Sequence, residues 1–462
     1  MTPPRRDQPQ SLIALWRNPV ARAWIYQIAI LLAVGLGAHT LFQNTRRNLE
    51  EKDTVSGFAY LANEASFGIG EILPVPVLEG GLVHLLIAIV AGLLIVFLLS
   101  RWQKRRGSTI GADTRLVIVV FILLFGVPLA VLFYSGDTIR AIHYTEANSY
   151  GVALMVGLLN TFKVSLIGCV LATLLGLFLG ISRLSSNWLV AKLSETYIEI
   201  VRNIPLLVQL FFVYIAVLRT LPQPENSLRF FDVAILNNRG LYLPSPIPQD
   251  FANLFMLSIA ATLTGIYFWR RHVKQRQDRT GEQLPFFLPS VAALVAVSGL
   301  VWLIFGTPFQ LEYAELRGFN FVGGLELSPE FTAMLISLTL YTAAFIAEIV
   351  RSGIQAVSKG QREAAQSLGL RGGQTLRLIV LPQAMRVMIP PLTSQFLNLT
   401  KNSSLGTAIG FAEVVNISGT IINQSGQAIE PIALTMVIYL TFSLSISMLM
   451  NWYNAKMRLV ER

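Results

Sequence analysis

The stretch Ser358-Lys359-Gly360-Gln361-Arg362-Glu363-Ala364-Ala365-Gln366-Ser367-Leu368-Gly369 lies between two long apolar runs and reads as a short exposed helix with both ends marked. Ser358 stands three residues before Gln361, the spacing of a capping box. Glu363 sits in the first turns, where the helix dipole favours an anion, and Gly369 suits a left-handed stop. Ala364 and Ala365 keep one side thin enough for a partner to approach the backbone. A second stretch, Gln374-Thr375-Leu376-Arg377-Leu378-Ile379-Val380-Leu381, is apolar enough to lie on a membrane face. Pro382 is then expected to reset the chain before the next run. Taken alone, these residues fit either a capped loop helix or a surface on which a partner docks.

The flanking sequence puts that helix in a loop of a membrane protein. Hydrophobic residues make up 53% of the 462 residues and charged residues 13%, against roughly 25% charged in soluble domains. The apolar residues gather into ten runs, at 23–42, 82–100, 116–135, 152–181, 197–218, 251–269, 286–306, 330–350, 385–405 and 431–452. Each approaches the ~20 residues that carry a helix across about 30 Å of hydrocarbon. The first is too long for a cleaved signal peptide, and no small-x-small site follows it. With the N-terminus inside, the inner segments hold 24 of the 36 Lys and Arg, and the outer segments hold 8. This bias predicts that both termini are cytoplasmic. The expected fold class is an all-α polytopic membrane protein with about ten transmembrane helices.

Several function classes fall away. The net charge of +10 comes from short basic loops rather than from one basic face with interleaved aromatics, so nucleic-acid binding is excluded. Cys169 is the single cysteine and supports neither an intrachain disulfide nor a thiolate metal site. His39, His84, His143 and His272 are far apart, and no carboxylates pair at catalytic spacing, so no metal or enzyme site is expected. The longest outer loops, 43–81 and 219–250, are too short for independent cores and read as covers or docking surfaces.

Glu363-Ala364-Ala365, Gly369, Ile379 and Leu381-Pro382 together fit the pattern EAA-x3-G-x9-I-x-L-P, and the segment resembles the cytoplasmic loop of ABC importer permeases. Three further stretches resemble the polar amino-acid, histidine-type branch of that family: 199–209 (from Glu199-Ile200-Val201-Arg202), 348–357 (from Glu348-Ile349-Val350-Arg351) and Leu399-Thr400-Lys401-Asn402-Ser403-Ser404-Leu405. Ser56-Gly57-Phe58 and Leu236-Asn237-Asn238-Arg239-Gly240-Leu241-Tyr242 resemble the larger permease subunits of general L-amino-acid transporters. The likeness covers residues 150–220 and 328–460 well. It implies a type I importer permease core of five helices, the runs beginning at 152, 197, 330, 385 and 431, with inserted helix pairs. The division is then a cytoplasmic segment 1–22, an extension 23–149 with three spans, a first core part 150–222, an insertion 223–328 with two spans, and a second core part 329–462 holding a docking loop at 351–384.

The chain has no G-x-x-x-x-G-K-[ST] phosphate loop. The resemblance implies that ATP and Mg belong to a partner ATPase dimer, and that this chain holds no cofactor. It also implies a homologous second permease subunit, a periplasmic substrate-binding protein, a bacterial inner membrane and amino-acid import. The ATPase-docking residues would be Glu363, Ala364, Ala365, Gly369, Ile379, Leu381 and Pro382. Asn160, Thr161 and Lys163 in the fourth run, and Lys401, Asn402 and Ser403 in the ninth, are candidates for the substrate pathway. A lysine at membrane depth must face protein or water, and an amino-acid carboxylate would pair with it; snorkelling or helix packing is the competing role. Glu199 with Arg202, and Glu348 with Arg351, have the i,i+3 spacing of interfacial ion pairs. The rival class is an ion-coupled secondary transporter of small polar solutes acting without an ATPase.

Overall fold

The computed structural model describes residues 19–51, 57–70, 75–77, 140–142 and 144–457, apart from 232, 250 and 283. The expected spans at 82–100 and 116–135 lie outside the described residues. Among those described, five helices are long and apolar enough to cross a membrane, and up to seven if two bent pairs are counted as one span each. The chain is a mostly helical, multi-pass membrane protein.

Helix α1 covers Pro19–Glu51. The core is built on α2 (Tyr150–Arg183) and α7 (Pro329–Gln355), the latter capped by the Ser328 hydroxyl on the Phe331 N–H at 3.1 Å. At 34 residues, α2 would be about 51 Å long at 1.5 Å per residue, so it projects beyond ~30 Å of hydrocarbon. Its glycines 176 and 180 lie four apart on one face. A Cβ on Gly176 would lie 2.6 Å from the Ile346 Cβ, and one on Gly180 would lie 2.7 Å from the Ala347 carbonyl oxygen. Helices can approach this closely only where the side chains are small, which is how they associate in lipid without a hydrophobic drive. Ala343 and Ala347 on α7 complete the seam, both fully buried.

Around that pair pack α3 (Trp188–Asn203), α4 (Leu206–Leu218) and a long helical run α9 (Gly372–Ile409). Gly353 of α7 admits Met388 of α9, whose side chain would collide with any Cβ there. α10 (Val414–Ser425) and α11 (Ile429–Met457) close a second cluster with Tyr60, Leu61, Tyr144, Tyr150 and Leu154. Part of the 43–81 loop is thereby fixed as a cover: the Gly57 N–H donates to Glu430 at 2.7 Å, and the Ala65 N–H donates to the Asn148 carbonyl at 2.8 Å.

Three expectations are corrected. The run 197–218 is not one helix, because α3 and α4 meet at 104°. Ile204 precedes Pro205 and is held in the extended region, at φ −100 and ψ 129, where a helix cannot continue. Pro382, conversely, does not reset the chain. It follows a wide π-type turn over Leu376–Val380 and sits in the first turn of the next helical stretch, where its missing N–H does no harm. The fold is also not purely α. Strands β3 (Leu228–Phe230), β4 (Ala234–Asn237), β5 (Gly240–Leu243) and β10 (Leu325–Leu327) form an antiparallel sheet in the order β10-β5-β4-β3. The chain turns back at Asn238-Arg239 into Gly240, whose φ of +144 and close approach to the Leu327 carbonyl exclude a side chain. Ile235, Tyr242 and Phe321 bury a small core there, and burial pushes the Tyr242 phenol up to about 12.

β6 (Ser245–Pro248) pairs with β7 (Phe309–Glu312), and between them rise α5 (Ala252–Thr280) and α6 (Phe287–Phe305) as a helical hairpin. A short β1–β2 ladder joins Val75–Val77 to Arg140–Ile142, and β8 (Glu315–Arg317) pairs with β9 (Asn320–Val322).

Replacing Gly180 with Leu should destabilise the folded chain by about 1–3 kcal/mol or prevent its accumulation, through overpacking of the α2–α7 seam. Gly419→Ala in α10, where nothing lies within 4 Å of the added Cβ, should leave stability unchanged or raise it by up to about 1 kcal/mol. Thermal unfolding in detergent compares the two.

Candidate functional site

Helix α8 (Lys359–Ser367) follows α7 after a three-residue link. Ser358 occupies its N-cap but its hydroxyl makes no cap bond, so the expected capping box is absent. The anchor is instead Arg362, whose guanidinium donates to the Ile354 carbonyl at 2.8 Å and satisfies the C-terminal end of α7. The end of α8 is a Schellman motif: the Leu370 N–H reaches the Ala365 carbonyl at 3.1 Å and the Gly369 N–H reaches Gln366 at 2.8 Å. Gly369 has φ +73, as expected of a left-handed stop. Gln374 then accepts from the Arg371 N–H at 3.0 Å and starts α9.

This motif sorts the docking candidates by side. Ala365 is 2% exposed and packs inward, and Ile379 is half-buried. Glu363, Ala364, Gly369, Leu381 and Pro382 are exposed. Leu368, which sequence reading passed over, is also exposed, at 81%. One face of α8 therefore holds the loop to the protein, and the other presents a carboxylate, a methyl and an isobutyl group outward.

Beside the loop lies an ion-pair clasp. Arg183, at the end of α2, contacts Glu348 of α7 at 2.6 Å and Glu195 of α3 at 3.3 Å. Glu348 also takes Arg351 as expected, and Arg351 reaches Gln355 at 2.6 Å. The expected Glu199–Arg202 pair is not found among the described ion pairs; the Arg202 guanidinium lies 5.1 Å over the Phe345 ring instead. Arg183 and Glu195 belong to different helices, and no spacing rule links them in the sequence.

The six pathway candidates divide. Asn160 and Thr161 are buried on α2 and face the break between α9 and α10. The Asn160 amide donates to the Ala412 carbonyl at 3.0 Å, and the Thr161 hydroxyl accepts from the Val414 N–H at 3.2 Å. Lys163, one turn on, lies 4.4 Å over the Phe331 ring. Lys401 is exposed, Asn402 half-buried and Ser403 fully buried. Ser403 donates to the Thr400 carbonyl at 2.7 Å and shares a hydrogen bond with Tyr439 at 3.3 Å.

The group that organises this region is Glu413, which sequence reading missed. Its side chain is fully buried and accepts from Thr407 at 2.6 Å, the Val415 and Asn416 N–H groups at 2.8 Å, and Tyr439 at 3.0 Å. The chain bends here by 47° after Gly410, at φ +79. A bend interrupts the helical ladder, and backbone groups freed in an apolar setting must find other partners; Glu413, Asn160 and Thr161 supply them. The available signal was Gly410-Phe411-Ala412-Glu413, a glycine stop followed by a lone carboxylate between apolar runs. Among the described residues no group of three His, Cys, Asp or Glu is placed to hold a metal ion.

Glu413→Ala should destabilise the protein by about 2–4 kcal/mol, since it removes a cap and strands several donors at once. Tyr439→Phe should cost only about 1 kcal/mol. Equal effects in thermal unfolding would contradict a central role for the carboxylate.

Residues 283–459 match the family of binding-protein-dependent transport system inner membrane components. YhdX of Escherichia coli (strain K12), named as an amino-acid ABC transporter permease protein, is 42% identical over 446 residues, which cover 96% of each chain. AapQ of Rhizobium johnstonii, a general L-amino acid transport system permease protein, is 46% identical over 321 residues, 70% of this chain and 80% of its own length. BztB of Rhodobacter capsulatus, a glutamate/glutamine/aspartate/asparagine transport system permease protein, is 43% identical over 353 residues, 70% of this chain and 82% of its own. Since the first of these likenesses runs through nearly the whole length of both proteins, the chain belongs to the family of amino-acid ABC transporter permease subunits.

Proposed function

We propose that this chain forms half of the translocation pathway of an ATP-driven amino-acid importer in a bacterial inner membrane, and that the outward face of α8 is where a cytoplasmic ATPase dimer grips it. The observation that carries this reading is the two-sided build of α8. Arg362 fastens it to α7 and Ala365 is buried, while the side chains of Glu363, Ala364 and Leu368 stay exposed. Membership of the family implies an ATPase and further subunits as partners. The remaining partners would be a homologous second permease subunit and a periplasmic substrate-binding protein, with ATP and Mg held by the ATPase. Both termini would be cytoplasmic, in a ten-span type I arrangement.

Force applied to α8 would pass along α7 by rigid-body movement. α7 meets α2 along the glycine seam, and the Arg183–Glu348–Glu195 clasp links α2, α3 and α7 beside the loop. A push on the loop therefore moves a packed unit rather than a loose segment. Amino acids as the substrate class follow from what the relatives are named for. Lys163 and Lys401 are the candidates to meet the substrate carboxylate, Lys163 on the Phe331 ring and Lys401 on an exposed side where a second permease subunit would sit. The ion-coupled alternative is not favoured, because the relatives are named as permease proteins of an ABC transporter or of an amino-acid transport system.

Glu363→Ala is expected to lower ATP-driven amino-acid uptake by tenfold or more with unchanged amounts of permease in the membrane. Gly369→Asn should retain uptake and Gly369→Val should lose it, because only the β-branched side chain resists a φ of +73. Undiminished uptake in both Glu363→Ala and Gly369→Val would overturn the docking assignment. Lys401→Ala should reduce uptake while leaving ATPase co-purification intact.

A further inference from the structure

The α5/α6 hairpin leaves a groove between its helices. The space is about 610 Å³, lined by Ser258, Thr262, Gly265 and Trp269 of α5 and by Ser290 and Val297 of α6, among others. The groove exists because the facing stripe of each helix is small: nothing lies within 4 Å of where a Gly265 Cβ would be. Its hydroxyls are already committed. Ser258 donates to the Phe255 carbonyl, Thr262 to that of Ser258 and Ser290 to that of Phe286, each at 2.7 Å. The hydroxyl protons are engaged and most of the remaining lining is hydrocarbon, so the slot suits an apolar chain.

The length is specific. Ser258 to Trp269 spans eleven residues of helix, about 16 Å at 1.5 Å per residue, and about half of a ~30 Å hydrocarbon core. That is the depth of one lipid leaflet. At the end marked by Trp269 the charge changes abruptly. Residues 270–279 hold Arg270, Arg271, Lys274, Arg276 and Arg279 against Asp278 alone. The Arg270 guanidinium lies 5.9 Å over the Phe286 ring, at the start of α6, and Trp269 stacks on His272 at 5.9 Å. Arg276 falls seven residues beyond Trp269 on the same helical stripe. It pairs with Glu282 at 3.1 Å, but both side chains are about half exposed, at 49% and 55%. Such a surface pair is weak and exchanges readily for a stronger anion.

We propose that this hairpin binds one anionic phospholipid, with an acyl chain in the α5/α6 groove and the phosphate between Arg270 and Arg276. A chain-sized apolar slot one leaflet deep, ending at an interfacial tryptophan and a basic cluster, matches such a lipid at both ends. A neutral lipid would fill the slot and leave the cations unmatched. The site lies outside the helices proposed to form the pathway, so its test does not depend on the transport reading.

The test is native mass spectrometry of the purified full-length chain released from mixed micelles of equimolar phosphatidylglycerol and phosphatidylcholine. The wild type should retain one phosphatidylglycerol with at least fivefold preference. R270Q/R276Q, which changes exposed side chains, should abolish the preference, and G265L, which fills the slot, should reduce retention of both lipids. If G265L fails to fold, the double variant still decides the matter. Equal retention of the two lipids by the wild type, or an undiminished preference in R270Q/R276Q, would overturn the proposal, as would a protein partner found cross-linked along the groove in place of lipid.

Discussion

Between Gly176 and Ile346, and between Gly180 and Ala347, there is no room for a methyl group. In water such a contact would be one detail of a hydrophobic core, but lipid tails are as apolar as leucine, and burial alone gives helices no reason to meet. Close approach, with the many short contacts it allows, replaces that drive. The α2–α7 seam is where this chain concentrates it. The seam fixes which faces of α2 and α7 remain for other elements, so α9 can seat Met388 at Gly353 and α3 can be drawn in by the Arg183 clasp. Disturb the seam and the clasp residues lose their register, since Arg183 and Glu348 belong to the two helices it joins.

The breaks in the spans obey the opposite constraint. A helix satisfies its own backbone, and a bend does not. At Pro205 the chain turns by 104°, and Gln209 reaches back to the Val201 and Ile204 carbonyls at 2.8 and 2.9 Å. At Gly410 the same debt is met by Glu413 with help from Asn160 and Thr161. Polar residues in the core thus need not line a path; several are occupied in keeping a bent backbone intact.

Much of the architecture was legible because the relevant physics is local or compositional. Apolar runs gave α2, α7 and α11 within a few residues, and Gly369 marked its left-handed turn correctly. What escaped depended on partners distant in the chain. The Ser358 pattern is local, yet Arg362 found a better acceptor on α7 and the hydroxyl went unused. Pro382 looks like a stop until the wide turn before it is known. The strands at 228–243 are too short for periodicity to show, and β5 is held partly by β10 some 80 residues on. Gly176 and Gly180, four apart in an apolar run, were visible but gained meaning only opposite Ala343 and Ala347. Glu413 stood out least, because one acid between two runs reads as a loop residue until its hydrogen bonds are seen.

The Schellman turn at the end of α8 separates two jobs that proteins often load onto the same atoms. The hydrogen bonds that close it run through backbone alone, from Leu370 to Ala365 and from Gly369 to Gln366. Glu363, Ala364 and Leu368 are left with nothing to support. Their identities can drift without threatening the membrane core, provided that the glycine stays. On the docking reading proposed above, the surface offered to a partner can therefore be altered one side chain at a time while the fold stays intact, so folding and partner binding come apart under separate substitutions.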